Sequence, residues 1–396
     1  MKPLNENRAK KKIFIALGTR PEVIKCYPLW AELKKYPEFN TRLCVFRQQK
    51  GMLDQTLTAF HMKPDFIFSV SLGDKGLLGA GKNIFLLVKS GVQAAFGLFR
   101  FVRMLRRERP DFLVVQGDTS TAFLASFLAI NFKVPVAHVE AGLRTQTKYS
   151  PFPEEINRRL ISVLADFHFA PTAKARENLL REGIDEERII VTGNTALDTL
   201  RLTLKSDCPF KDGNNIKIDP DKKLLIVTAH RRESFGEGMK NIAEAIREIA
   251  EKRSDIVIVY PVHANPNVSK PMRSMLGGCK NIFLVDPMEY HAFVALMKKA
   301  YMILTDSGGI QEEVSFLGKP TLVMRESTER PEGLMGGNVR LVGTDKGLIV
   351  GEVTRLLDDA TYYQSMSKTH AAFGDGFAAQ KIITAFQDYF QKNLHT

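Results

Sequence analysis

The sequence predicts an α/β protein made of two doubly wound parallel-sheet domains, and three observations carry that prediction. Short apolar runs alternate with longer helical patterns from end to end, as strands joined by crossover helices do. A chain of 396 residues exceeds one ordinary core and divides into two strand groups of similar length. The polar, Pro- and Lys-containing stretch Lys205 to Lys222 lies between the groups and reads as a linker.

In the first group the strands are expected at Ile13–Leu17, Thr41–Phe46, Phe112–Gln116, Val134–His138, Phe167–Ala170 and Ile189–Thr192. Ligands in an open parallel sheet bind beyond the carboxyl ends of the strands, so the residues after each run are the informative ones. The first run leads into Gly18-Thr-Arg-Pro-Glu-Val-Ile-Lys25, where Gly18 permits a tight turn, Pro21 suits a helix start, and Arg20 and Lys25 offer positive charge to a diphosphate. The third leads into Gly117-Asp-Thr119 and the fourth into Val139-Glu-Ala-Gly-Leu-Arg144, and Phe152-Pro-Glu-Glu155 opens the next helix. Asp118, Glu140 and one of Glu154 or Glu155 are therefore expected along one sheet edge. Three converging carboxylates repel one another, which raises pKa values and suits acid and base work. Helix capping by Asp118 and a first-turn dipole role for Glu154 are the structural alternatives.

In the second group the strands are expected at Lys223–Thr228, Ile256–Pro261, Ile282–Val285, Tyr301–Thr305, Thr321–Met324 and Val339–Val342. The first of these runs into Ala229-His-Arg-Arg-Glu-Ser234, which puts His230 at a strand end beside two arginines. The fourth runs into Asp306-Ser-Gly-Gly-Ile-Gln-Glu-Glu313. Ser307, Gly308 and Gly309 form a small-residue turn at a helix start, where close backbone approach and unpaired amides suit a phosphate. Glu312 or Glu313 follows one turn later and can clamp a ribose, and Arg330 follows the fifth strand as an anion partner.

Composition narrows the function classes. A hydrophobic content of 44% with 25% charged residues is that of a soluble globular protein, and a net charge of +12 favours anionic partners. No recognised nucleic-acid module is present, so no nucleic-acid partner is expected. Cys26, Cys44, Cys208 and Cys279 are scattered and form no CxxC pair, so reduced thiols and no metal are expected. The polar N-terminus followed by the short Ile13–Leu17 run lacks a signal-peptide core, which points to the cytoplasm. Neither a Gly-x-Gly-x-x-Gly after the first strand nor a Walker motif occurs, so no nicotinamide or flavin cofactor is expected. The segment Leu77 to Leu105 is apolar and ends among arginines; it reads either as a buried or interfacial helix or as a peripheral membrane contact, and Lys89 argues against a spanning helix.

Seven motifs in order resemble the bacterial non-hydrolysing UDP-N-acetylglucosamine 2-epimerases: Gly18-Thr-Arg-Pro-Glu22, Gly117-Asp-Thr119, His138-Val-Glu-Ala-Gly-Leu-Arg-Thr145, Pro153-Glu-Glu155, Thr192-Gly-Asn-Thr195, His230-Arg-Arg-Glu-Ser234 and Asp306-Ser-Gly-Gly-Ile-Gln-Glu-Glu313. The resemblance covers nearly the whole chain. It implies a GT-B fold with the active site in the cleft between two Rossmann-like domains, residues 1–204 and 205–375, and a C-terminal helix in 376–396 crossing back to the first. It also implies a homodimer that interconverts UDP-GlcNAc and UDP-ManNAc without a cofactor, through elimination to 2-acetamidoglucal and readdition, to supply units for surface polysaccharide. Carried over by motif, Asp118, Glu140, Glu154 and His230 form the catalytic set, and Arg20, Lys25, Phe293, Ser307, Gly308, Gly309, Glu313 and Arg330 the substrate contacts. Gln49 and Gly51 depart from the family pattern in the region of its second, activating UDP-GlcNAc site, and Met288 departs near the uracil. An epimerase of a modified UDP-sugar, of the diacetamido uronic acid type, shares every motif, although the loop Lys148 to Phe152 looks more like the unmodified-sugar group. A retaining glycosyltransferase would not need the carboxylate trio, and a nucleotide-sugar sensor would need neither the trio nor His230.

Overall fold

Every strand pairing among the described residues is parallel, so each strand must be reached by a crossover, and the chain supplies a helix for nearly all of them. The computed structural model describes residues 10–47, 51–70, 84–145, 147–149, 151–206, 218–328 and 330–392, with the backbone alone for 84–93. Gln49, Cys208, residues 77–83 of the apolar segment, 207–217 of the expected linker and the first nine residues lie outside that set.

The first sheet contains β1 (Lys11–Leu17), β2 (Phe39–Arg47), β3 (Phe66–Ser69), β4 (Phe112–Gln116), β5 (Val136–Val139), β6 (Phe167–Ala170) and β7 (Ile189–Val191), in the order β3-β2-β1-β4-β5-β6-β7. The second contains β8 (Lys223–Thr228), β9 (Ile256–Pro261), β10 (Ile282–Val285), β11 (Met302–Thr305), β12 (Thr321–Val323) and β13 (Val339–Leu341), in the order β10-β9-β8-β11-β12-β13. Strand order reverses between β1 and β4 and again between β8 and β11, so each sheet has one switch point where the loops leave in opposite directions. The loops after β4, β8 and β11 carry Asp118, His230 and Ser307, and Arg20 opens the helix that follows the short turn after β1.

All twelve sequence-predicted strands are present. The strand that the sequence reading missed is β3, a four-residue edge strand that pairs only with β2 and is too short to show a pattern. β5 begins at Val136 rather than Val134: Pro135 has no N–H to give the ladder, while its carbonyl accepts from Leu113 at 2.9 Å.

The chain folds as two compact units, Met1–Thr199 with Gly374–Thr396, and Leu200–Phe373. In the first, the helix Ala378–Lys392 packs on the helix Arg20–Leu33. The buried carboxylate of Asp198 accepts from the amides of Ala378 (3.1 Å) and Ala379 (2.8 Å), satisfying donors at the start of that helix. Phe386 is fully buried against Phe112 and Phe169. In the second unit Val227, Ile246, Ile258 and Leu304 form part of the core, and the buried Tyr260 donates its hydroxyl to the Ala229 carbonyl at 3.0 Å. The helix Ile84–Glu108 buries Phe101, Met104 and Leu105 but leaves Phe96 and Phe99 each 62% exposed. No described helix is long and apolar enough to cross a membrane.

Two histidines lie side by side in this framework. His138 on β5 and His168 on β6 are register partners, both fully buried. His138 donates from Nε2 to the Gly117 carbonyl at 2.7 Å. Burial disfavours the imidazolium and pushes His138 down to about 3 and His168 to about 4. Below the unfolded value near 6.5 the unfolded chain binds protons that the folded chain refuses, so stability falls with pH from there toward the folded values. Urea denaturation between pH 4.5 and 7.5 should show this loss, at up to ~1.4 kcal/mol per pH unit for each histidine. His138→Gln should flatten the slope; an unchanged slope in that variant would assign the loss to other groups.

Candidate functional site

In the first unit the site is organised by Glu22, which is almost completely buried. Its Oε2 accepts from the amides of Gly18 and Thr19, both at 2.7 Å, and its Oε1 accepts from the Thr119 hydroxyl at 2.5 Å. Burial pushes the Glu22 carboxyl up, while these hydrogen bonds pull it back toward the ionised form. The turn just before Arg20 is thereby tied to the loop bearing Asp118. Gly18 has a separate reason to be glycine: a Cβ there would sit 2.5 Å from Thr121 Oγ1.

The carboxylates are placed along this edge, but not as a mutually repelling trio. Asp118 Oδ2 accepts from Arg158 Nε at 2.7 Å. Glu140 Oε2 forms an ion pair with Lys25 and accepts from Gln116 Nε2 at 2.9 Å. Two of the three are thus paired with a cation, which corrects the expectation that repulsion dominates here. Glu140 also adopts a left-handed backbone with φ of 66°, a strained conformation for a non-glycine residue that the surrounding contacts must hold. Capping by Asp118 is likewise not what the structure has: Thr119 caps the helix Ser120–Asn131 by accepting from the Ala122 amide.

The structure also separates Glu154 from Glu155. Glu155 is fully buried and accepts from the Thr145 amide (3.1 Å), Arg158 (3.2 Å) and Arg159 (3.2 Å), so it is an internal brace. Glu154 is half-buried, and its Oε2 is buried with no hydrogen-bond partner among the described residues. A buried carboxylate oxygen without a donor costs free energy unless something fills the position.

In the second unit β8 and β11 are neighbours, and their carboxyl-end loops bring His230 and Asp306 together. Asp306 Oδ2 accepts from the amides of His230 (2.6 Å) and Arg231 (2.7 Å). The helix Gly308–Leu317 starts after Ser307, whose side chain does not cap it, so its first amides have no capping side chain. A Cβ on Gly308 would meet the Arg330 guanidinium at 3.1 Å, so the glycine lets that cation lie close to the helix start. Arg330 Nε donates to Glu312 at 2.8 Å, and the Tyr290 hydroxyl donates to Glu313 at 2.7 Å. Of the two carboxylates left open by the sequence, Glu312 braces the arginine and Glu313 is oriented by a buried tyrosine. Phe293 is half-buried on the same helix as Tyr290, one turn along. Among the described residues no group of three His, Cys, Asp or Glu is arranged to hold a metal ion.

Gln116, Arg158 and Tyr290 were not picked out from the sequence. Gln116 is the last residue of β4, at the edge where ligand-facing residues cluster, and Arg158 stands four residues after Glu154 on one helix face; both signals were readable. Tyr290 lies 23 residues from Glu313 and no local pattern joins them.

The family model for UDP-N-acetylglucosamine 2-epimerase matches residues 31–387. The UDP-N-acetylglucosamine 2-epimerase of Escherichia coli O157:H7 is 47% identical over 390 residues, covering 95% of this chain and 98% of that one. The crystal structure of UDP-GlcNAc 2-epimerase from Neisseria meningitidis bound to UDP-GlcNAc superposes with a TM-score of 0.84 at 39% identity, covering 95% and 100% of the two chains. That of Methanocaldococcus jannaschii UDP-GlcNAc 2-epimerase in complex with UDP-GlcNAc and UDP gives 0.78 at 32% identity, covering 95% and 99%. The two parallel-sheet α/β domains are those of the GT-B-like fold.

Gly309 offers a test of which glycines serve the fold. Nothing lies within 4 Å of a Cβ built there and its backbone is not left-handed, so packing does not require glycine. Gly309→Ala should leave the folded chain as stable as before or more so, by ~0.4–1 kcal/mol, because alanine loses less backbone entropy. Thermal unfolding checks this, and a clear drop in Tm would show that the position is structural.

Proposed function

This chain belongs to the UDP-N-acetylglucosamine 2-epimerase family, and we propose that it inverts C2 of UDP-GlcNAc to give UDP-ManNAc, and the reverse, by elimination and readdition of UDP. The observation that supports this most is the division of chemistry between the two switch points: carboxylates at one, and at the other an uncapped helix start with Arg330 beside it and Glu313 one turn on.

The C2 proton has no adjacent carbonyl to acidify it, so its removal is coupled to departure of UDP. A base takes the proton at C2 as the C1–O bond breaks, the electron pair leaves with the diphosphate, and C1=C2 of 2-acetamidoglucal forms. UDP oxygen then re-attacks C1 while an acid protonates C2 on the opposite face. Glu154, with its unpartnered buried oxygen, serves one face. Asp118 and Glu140, each held by a cation, supply the other. Amides at Gly308 and Gly309 with Arg20, His230 and Arg330 stabilise the charge that collects on the diphosphate, and Ser307, Phe293 and Glu313 hold the nucleoside end. Lys25, read from the sequence as a phosphate partner, works in this scheme through Glu140, with which it is paired. We place the enzyme in the cytoplasm, supplying ManNAc-derived units for surface polysaccharide.

We further propose that the enzyme is a homodimer. Phe96 and Phe99 (62% exposed each), Phe127 (47%), Leu160 (42%) and Val163 (78%) stand on three neighbouring helices over one side of the first sheet. An apolar surface shared by three helices is what a second copy would cover.

With UDP-GlcNAc in deuterated water and no added cofactor, NMR should show deuterium at C2 and the appearance of UDP-ManNAc. Glu154→Gln, Asp118→Asn and Glu140→Gln should each lower kcat by ~10²–10⁴-fold. A protein that binds UDP-GlcNAc and leaves its C2 proton in place would end this reading. Phe99→Glu with Val163→Glu should halve the mass seen by light scattering; an unchanged mass would put the dimer elsewhere or remove it.

A further inference from the structure

We propose that Asp306 fixes His230 in the tautomer with its hydrogen on Nδ1, so that the ring presents Nε2 to the diphosphate and takes up a proton when that anion arrives. The second half of this statement rests on the reading of His230 as a diphosphate partner. The first half rests on the close approach of Asp306 to the ring.

Asp306 is completely buried at the carboxyl end of β11. Two amides, those of His230 and Arg231, hold its Oδ2 at 2.6 and 2.7 Å, so the carboxylate cannot turn away. Its Oδ1 lies 3.3 Å from His230 Nδ1, and no donor among the described residues makes a hydrogen bond to that oxygen. An unsatisfied buried carboxylate oxygen is costly; the ring is not aligned for a hydrogen bond to it in this structure, but Nδ1 lies within ion-pair distance and a hydrogen there can supply what the oxygen lacks. The opposite tautomer would set a nitrogen lone pair against the carboxylate. A buried carboxylate behind a histidine fixes the tautomer and orientation of the ring in the same way at other acid–base and metal sites.

Three groups of this unit face the ring: Asp306, Arg231, and His263, whose ring stacks on it at 5.5 Å with a 17° tilt. Burial holds His230 below its ordinary value; Asp306 opposes that effect, and Arg231 and His263 add to it. The ring is therefore neutral near pH 8. With its hydrogen facing Asp306, Nε2 carries a lone pair, which cannot donate to a phosphate oxygen. A diphosphate beside Nε2 would place anions on both sides of the imidazole and favour the imidazolium. The ring then donates from Nε2 to the phosphate and holds a proton suited to the departing UDP.

The test uses the full chain labelled with [15N]histidine, with His230 assigned by the signal missing in His230→Gln. Long-range proton–nitrogen spectra at pH 8 should show the Nδ1–H tautomer in the free protein. Saturating UDP should convert the ring to imidazolium at the same pH, and calorimetry in two buffers of different ionisation enthalpy should register proton uptake that is absent in His230→Gln. Asp306→Asn should shift the free ring toward the Nε2–H tautomer and reduce the uptake. The Nε2–H tautomer in the free wild-type protein would overturn the role of Asp306, whatever the stability of the variant. A ring that stays neutral under saturating UDP would overturn the proton uptake. Absence of UDP binding would instead remove the diphosphate reading, while the tautomer of the free ring would still decide the first half.

Discussion

A parallel strand that leaves its sheet carries backbone amides beyond the last ladder partner, and each must find an acceptor or water. Both switch points meet this constraint with one buried carboxylate. Glu22 receives the amides of Gly18 and Thr19 beyond β1, and Asp306 receives those of His230 and Arg231 beyond β8. Each also reaches a neighbouring strand's loop, since Glu22 accepts from Thr119 after β4 and Asp306 itself follows β11. The segments that carry the candidate side chains are thus tied in pairs. Arg20 and Asp118 share one tie, His230 and Ser307 the other.

Charge is distributed by the same logic. Buried or half-buried carboxylates are tolerated where a cation or hydrogen-bond donor meets them, and the structure supplies these locally: Arg158 for Asp118 and Glu155, Lys25 and Gln116 for Glu140, Arg330 for Glu312, Tyr290 for Glu313. Against that background Glu154 stands out, together with Asp306, because one of its oxygens is buried without a donor among the described residues. Positions where local rules are left unmet, such as this oxygen and the left-handed Glu140, are where function is expected to be carried. The supporting partners hold these carboxylates in fixed geometry. Pairing therefore replaces the general repulsion expected from three acids on one edge.

Much of this was legible along the chain. Strands buried on both faces have to be apolar runs, so twelve of the thirteen strands among the described residues could be placed from sequence, and β3 escaped because an edge strand of four residues leaves too little pattern. The residues after each run made Asp118, Glu140, His230 and Ser307 candidates, since parallel sheets put their ligand-facing groups there, and the structure has all four just beyond strand ends. The choice between Glu154 and Glu155 was not legible, because both lie in the first turn of one helix and only the packing around it buries one completely. Glu312 and Glu313 posed the same problem, resolved by Arg330 and Tyr290 from other elements.

The sequence by itself determined the fold class, all but one of the described strands and the motifs, because hydrophobic periodicity and turn chemistry are local and are written in neighbouring residues. Tertiary structure alone decided which side chain meets which. Lys25 and Glu140 are 115 residues apart, Asp118 and Arg158 are 40, and His230 and its carboxylate are 76. Whether a carboxylate is braced, paired or left open depends on the dielectric and the donors around it, and those arrive from distant parts of the chain only when the sheets assemble.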